Sequence, residues 1–172
     1  MSPGRCLIVA NQTLGGDALD QAVRDCIDRD VSSFYVVVPL IRLEHERVDW
    51  RGGFSLGEDA TSPDRAAAAV AAIKERERER EAAQAEARRR AHQRLERMVA
   101  AIQALGGDAQ GEVGAADPLE ATRAALRGKP PFDEVIVSTL PSGISRWLRM
   151  DLPNRVARMT GVRVNTVEAE AS

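Results

Sequence analysis

Three stretches of this chain carry apolar residues at consecutive rather than alternate positions: RCLIVA (5–10), SFYVVVP (33–39) and FDEVIVST (132–139). A strand with one wet face alternates apolar and polar. A strand that is apolar at successive positions has to be covered on both sides, and a parallel sheet with helices on both faces provides that cover. The segments between these runs supply the helices. Asp17 offers an N-cap with Asp20 in the first turn, and Leu19, Ala22, Val23, Cys26 and Ile27 predict a helix to about Arg29. In DPLEATRAALRG, Asp117 can cap, Pro118 suits the first turn, Glu120 completes a capping box and Gly128 ends the helix. LPNRVARMTG (152–161) predicts a helix closed by Gly161, and VRVNTVEA (162–169) a final strand. GDAQGEVG (107–114) is weak as a strand by itself, but its place between two helices assigns it as one. The order is strictly alternating, strand first and strand last. That predicts an α/β fold with an open parallel sheet of five strands and right-handed crossovers.

At 172 residues, one domain with a real core is expected. Hydrophobic residues make up 44% but aromatics only 3%, so Val, Ile, Leu and Ala must fill that core. The formal charge of −2 sets up no whole-chain field for nucleic acid or a membrane, and neither is expected as a partner. The opening apolar run is too short for the hydrophobic region of a signal peptide, and no stretch approaches the roughly 20 apolar residues needed to cross a bilayer. A cytoplasmic protein is the expectation. The two cysteines, Cys6 and Cys26, fit neither a disulfide framework nor a metal site, and read as small buried hydrophobes.

One segment breaks the economy of short elements. From Asp64 to Leu105 there is no proline or glycine. As a single helix it would extend roughly 63 Å at 1.5 Å per residue. A compact domain of this length has a radius of gyration of only about 16 Å. The helix is therefore expected to project beyond the body or to break. Val70 and Ile73 near its start, and Leu95, Val99, Ile102 and Leu105 near its end, read as packing residues. Between Lys74 and Arg94 there is no Val, Ile, Leu, Met or aromatic residue, so residues 74–94 cannot face a core. KERERERE alternates sign, which places like charges four apart and opposite charges three apart, terms of only about 0.2–0.5 kcal/mol each that partly cancel. A solvated helical extension is the plain expectation, and a partner-binding arm the alternative. The basic RRRAHQR lacks the interleaved aromatics of a nucleic-acid reader. Residues 40–63 show no period and read as a loop. Within it Glu44, His45, Glu46 and Asp49 read as a solvated acidic stretch rather than metal ligands.

The chemistry has to be sought at the strand tips. In an open parallel sheet, ligands sit beyond the carboxyl ends of strands where the strand order reverses, here between the first and fourth. NQTLGG and STLPSGISRWLR follow those two strands. Asn11, Thr13, Ser138, Thr139, Ser142, Gly143 and Ser145 would converge there as hydroxyls, an amide side chain and a glycine amide. Together with a helix start they suit an anion. Arg146 and Arg149 would add positive charge in the fork geometry that phosphate prefers. Each part also serves as a plain turn: Pro141, Ser142 and Gly143 connect a strand to a helix whether or not anything binds. No Ser-His-Asp or Cys-His set is suggested by the two histidines, His45 and His92, so no catalytic constellation emerges.

The alternating order, the strand ending in Ser138-Thr139, SGISRWL and RVARMTGVRV resemble the universal stress protein family over almost the whole chain outside residues 40–94. The resemblance implies a Rossmann-like sheet in the order 3-2-1-4-5, a homodimer, and an adenine nucleotide as ligand. It also marks departures. The glycines by which ATP-binding members approach phosphate fall on Val137, Leu140 and Met150, and the last hydroxyl on Asp151; the aspartate that ends the family's first strand is Asn11. The expectation is a non-enzymatic, stress-related domain with at most a divergent nucleotide or anion site. The alternative is an interaction module using the Glu/Arg-rich arm and the last strand as an exposed edge.

Overall fold

The computed structural model describes residues 3–10, 16–40, 63–139 and 146–168. Nine elements alternate along it: β1 (Gly4–Ala10), α1 (Asp17–Ile27), β2 (Val31–Pro39), α2 (Pro63–Ala104), β3 (Asp108–Gly114), α3 (Pro118–Leu126), β4 (Glu134–Thr139), α4 (Arg146–Thr160) and β5 (Arg163–Glu168). The strands form one parallel sheet in the order β3-β2-β1-β4-β5, a Rossmann-like α/β fold. The chain groups into two compact units. One comprises Met1–Ile41 with Arg88–Ser172, and the other Arg42–Ala87.

The first unit holds the sheet and a core on each of its faces. Strand side chains alternate between faces, so each central strand feeds both. Cys6, Ile8, Phe34, Val36, Val38 and Ile136 pack with Leu19, Val23 and Cys26 of α1 and with Ala91, Met98 and Ile102 of α2. Leu7, Val9, Tyr35, Val37, Val135 and Val137 pack with Leu119 and Ala125 of α3 and with Leu152 and Val156 of α4. Covering both faces is what makes consecutive apolar residues necessary: Leu7, Ile8 and Val9 are all fully buried.

Local chemistry explains most element ends. The Asp117 carboxylate accepts from the Leu119 amide at 3.0 Å, as its capping position requires. Glu120 pairs with Arg123, one turn on. At α1 the N-cap is Gly16, not Asp17; Asp17 and Asp20 both lie in the first turn, where acidic side chains oppose the helix dipole. The larger difference is α4. It begins at Arg146, six residues before Leu152, and carries Pro153 inside it. A proline forfeits one helical hydrogen bond and crowds the preceding turn. Leu152 and Val156, buried against the α3/α4 face of the sheet, anchor the helix on both sides of the proline.

Helix α2 is unbroken from Pro63 to Ala104. Its last turns carry Met98 and Ile102 into the core with Leu95 and Val99 packed against it, as their spacing requires. The expectation that residues 74–94 face no core fails at Ala91, a side chain small enough to sit 2% exposed in the same cluster. The early pair behaves otherwise. Val70 is 50% and Ile73 55% exposed, so neither is a packing residue. From Ala66 to Ala82 every residue is exposed. The loop expected over 40–63, with Glu44, His45, Glu46 and Asp49, lies outside the described residues apart from its ends.

Candidate functional site

The strand order reverses between β1 and β4, each hydrogen-bonded to the other and each leading outward in opposite directions across the sheet. Their carboxyl ends coincide: Ala10 is the register partner of Ser138. The chain leaves β1 after Ala10 and β4 after Thr139 at the same rim, the place where an open parallel sheet has a crevice for ligands.

Of the nine residues expected at this rim, Ser138 and Thr139 stand on it, in the last two positions of β4. Both are buried. Alternation along the strand turns Ser138 to the α1/α2 face, with Ile136, and Thr139 to the α3/α4 face, with Val135 and Val137. Arg146 and Arg149 lie in the first turn of α4 rather than in a loop. That changes what they would offer, because a helix start presents backbone amides as well as side-chain charge. Asn11, Thr13, Ser142, Gly143 and Ser145 lie outside the described residues.

Thr139 is unusual in one respect. It is 1% exposed, and its Oγ1 has no hydrogen-bond partner among the described residues. A buried hydroxyl without a partner costs about 1–3 kcal/mol, so such groups call for an explanation. Beside it, in register on β5, stands Glu168. Spacing within one strand could not reveal this neighbour; it takes the β4–β5 register to bring a carboxylate to the rim. The rim therefore carries a buried hydroxyl that can donate or accept, with a carboxylate residue in register on the neighbouring strand. It can orient a polar ligand. Among the described residues no histidine or cysteine stands at this rim, and no group of three or more His, Cys, Asp or Glu is arranged to hold a metal ion.

A second polar cluster occupies the opposite, amino-terminal rim of the same strands. Glu134 opens β4 and is the register partner of Cys6. Its carboxylate takes a 2.7 Å bond from Arg29 Nη2 and lies 3.7 Å from Cys26 Sγ, which is itself 3.6 Å from Arg29 Nη2. The hydrogen bond to Glu134 raises the Arg29 guanidinium above its usual value. Both cysteines are buried, as their apolar surroundings in the sequence required.

Fold and rim together define a class: an open, parallel α/β domain whose strand order reverses between β1 and β4. No family model matches the chain, and no curated protein matches it. Among solved structures the chain is similar to a universal stress protein from Archaeoglobus fulgidus, at 12% identity and a TM-score of 0.43, over 97% of this chain and 94% of that one. No described helix is long and apolar enough to cross a membrane.

Proposed function

We propose that this chain is a non-enzymatic, cytoplasmic stress-response domain of the universal stress protein type, whose rim beyond β1 and β4 holds a nucleotide or other anion in a divergent way. The observation that carries this reading is the Thr139 hydroxyl, buried and without a partner among the described residues where the strand order reverses. A buried hydroxyl in that state is stabilised by any polar group that completes it, and a ligand at the rim would do so. Asn11, Thr13, Ser138, Ser142, Gly143, Ser145, Arg146 and Arg149 complete the proposed set, with the arginines and the α4 start facing anionic oxygens. An adenine nucleotide is the first ligand to test, given the sequence resemblance.

Calorimetry with ATP, AMP, cyclic nucleotides and inorganic phosphate tests this, using Thr139→Val as the isosteric probe. Losing one hydrogen bond of about 0.5–1.5 kcal/mol weakens binding roughly 2- to 12-fold. The same substitution replaces an unsatisfied hydroxyl with a methyl, so the ligand-free protein should gain up to about 1 kcal/mol in stability. Arg146→Ala should weaken binding of any phosphate. Glu168→Gln, which removes a negative charge from the rim, should strengthen it. Titrations that show no binding, or binding indifferent to Thr139→Val and Arg146→Ala, would remove the site.

A second reading is favoured by the exposure of Ala66–Ala82 and by β5 being a sheet edge. In it, the Glu/Arg-rich part of α2 or the β5 edge pairs with a second copy or with a partner protein. Deleting residues 70–87 removes about five helical turns and so preserves the phase of the helix. Sedimentation should then show a smaller oligomer. An unchanged oligomer would discard the α2 version of this reading.

A further inference from the structure

We propose that Arg94 of α2 is a further anion-binding residue, which holds a phosphoryl group of the ligand from the α1/α2 side of the carboxyl rim. The inference rests on the reading of that rim as a ligand site and adds a residue from an element that reading did not use. Its starting point is a charge left without a counter-charge. Arg94 Nη1 is buried and has no hydrogen-bond partner among the described residues, and none of their ion pairs includes it. Its neighbours differ: Arg88, Arg89, Arg90 and Arg97 are all exposed, whereas Arg94 is partly buried.

The packing of α2 decides where this side chain goes. Ala91, Met98 and Ile102 are the buried residues of its last turns. At about 100° per residue, Leu95 and Val99 fall to one side of that line and Arg94 to the other. Leu95 is the β3 side, since its Cδ1 stands 2.7 Å from where a Cβ on Gly111 would be. The strand order is β3-β2-β1, so the flank that carries Arg94 is turned towards β1 and towards α1, which covers the same face of the sheet. Helix α2 leads from the end of β2 back to the start of β3, so its earlier residues stand nearer the carboxyl rim. Helical side chains lean towards the amino terminus of their helix, which tilts Arg94 the same way. On this face, at this rim, Ala10 ends β1 beside its register partner Ser138.

Burial lowers the Arg94 pKa, as it must for a cation taken from water without a partner. The guanidinium nevertheless stays charged and keeps five N–H donors in a planar fork. Its partial dehydration is already met by folding, so an oxyanion pairs with it against weaker competition from water.

Charge and shape select the anion. With Arg94 on the α1/α2 side and Arg146 and Arg149 in the first turn of α4, the proposed set carries more positive charge than one carboxylate offsets. A phosphoryl group brings a charge of about −1.5 to −2 at neutral pH, and its tetrahedral oxygens face more than one side at once. Arginine suits it better than lysine because the fork can bind two of those oxygens together.

The test compares the full-length chain with Arg94→Met, which keeps an unbranched apolar stem and removes the charge and the donors. Calorimetry uses inorganic phosphate, AMP and, as the uncharged control, adenosine. Phosphate and AMP should each bind Arg94→Met roughly 10- to 150-fold more weakly, the worth of a charge-assisted hydrogen bond. Adenosine should treat the two proteins alike. Arg94→Lys, which restores the charge without the fork, should fall between them. Without ligand, Arg94→Met should melt a few degrees higher, because a partly buried charge without a partner is gone. AMP binding that Arg146→Ala weakens but Arg94→Met leaves unchanged would overturn this inference and spare the rim. Equal weakening of AMP and adenosine would also overturn it, by showing a change of packing instead of a lost anion contact. Binding weakened by Arg94→Met yet indifferent to Thr139→Val and Arg146→Ala would keep Arg94 as the partner of the anion and discard the other residues. An unmutated chain that binds neither phosphate nor AMP would overturn both readings.

Discussion

Tyr35 is the one tyrosine in the chain, so its ionisation can be followed without interference from another. Its hydroxyl donates to Glu112 Oε2 at 2.7 Å, and Lys129 Nζ lies over the ring at 4.4 Å and 3.7 Å from the same carboxylate oxygen. Burial first, and then the hydrogen bond and charge of Glu112, push its pKa up to about 12. The sign follows from which form the fold prefers. The neutral phenol is favoured in the folded state, so its contribution to stability is fully present below pH 10 and is lost as the pH rises through about 12. Ultraviolet titration of tyrosinate should therefore show a midpoint near 12 in the folded protein, with unfolding accompanying the last part of the curve. Glu112→Gln removes the carboxylate acceptor and its charge, and should bring the midpoint down towards the ordinary tyrosine range near 10. A midpoint already near 10 with the fold intact would mean that Tyr35 is not paired as described.

Between elements the tightest constraint lies where α2 crosses β3. A Cβ placed on Gly111 would stand 2.2 Å from the Val36 carbonyl oxygen and 2.7 Å from Leu95 Cδ1. The first is backbone of the neighbouring strand and cannot step aside without breaking the β2–β3 ladder. Gly111→Ala should cost about 1–3 kcal/mol in urea unfolding, the range of overpacked cores. Gln110→Ala, at the exposed position just before it, should stay within about 0.5 kcal/mol. Equal effects at the two positions would contradict the described crossing. This glycine also marks the limit of what the chain reveals as a string of letters. β1, β2 and β4 were legible because burial on both faces demands consecutive apolar residues, and α3 because Asp117, Pro118 and Gly128 punctuate it. β3 was legible only from its place in the alternation, since glycines and polar residues let α2 come close and leave little apolar signal. The start of α4 was hidden by Pro153, which reads as a beginning when considered alone. Apposition was hidden altogether. Neither Thr139 beside Glu168 nor Cys26 against Glu134 has any local signature, because register and helix packing create both pairs. Ser138 and Thr139 could be placed at the strand end from sequence, but not that the buried Thr139 hydroxyl finds no partner among the described residues.

For the molecule as a whole, α2 raises the question of which residues hold the fold. The same 42-residue helix contributes Ala91, Met98 and Ile102 to the core, each 2% exposed, yet leaves Val70 and Ile73 about half exposed. Apolar side chains at a helix end state only that burial would be favourable, not that a neighbour exists, and that is why both ends looked alike in the sequence. The energetic consequence differs sharply. Truncating Ile102 to Ala removes buried methyl groups and should cost about 2–5 kcal/mol. Removing residues 70–87 takes away exposed and half-buried side chains, and a loss of about five turns returns Arg88 to the phase it had before. The unit formed by Met1–Ile41 and Arg88–Ser172 should then unfold cooperatively with a midpoint within a few degrees of the full chain, read by circular dichroism at several protein concentrations. A fall as large as that of Ile102→Ala would show that Val70 and Ile73 are covered in solution. If that fall also depended on concentration, the cover would be a second copy of the chain. An unchanged midpoint would place the stability of the sheet wholly in its own two cores, and leave the Ala-, Glu- and Arg-rich turns free to be selected for something other than folding.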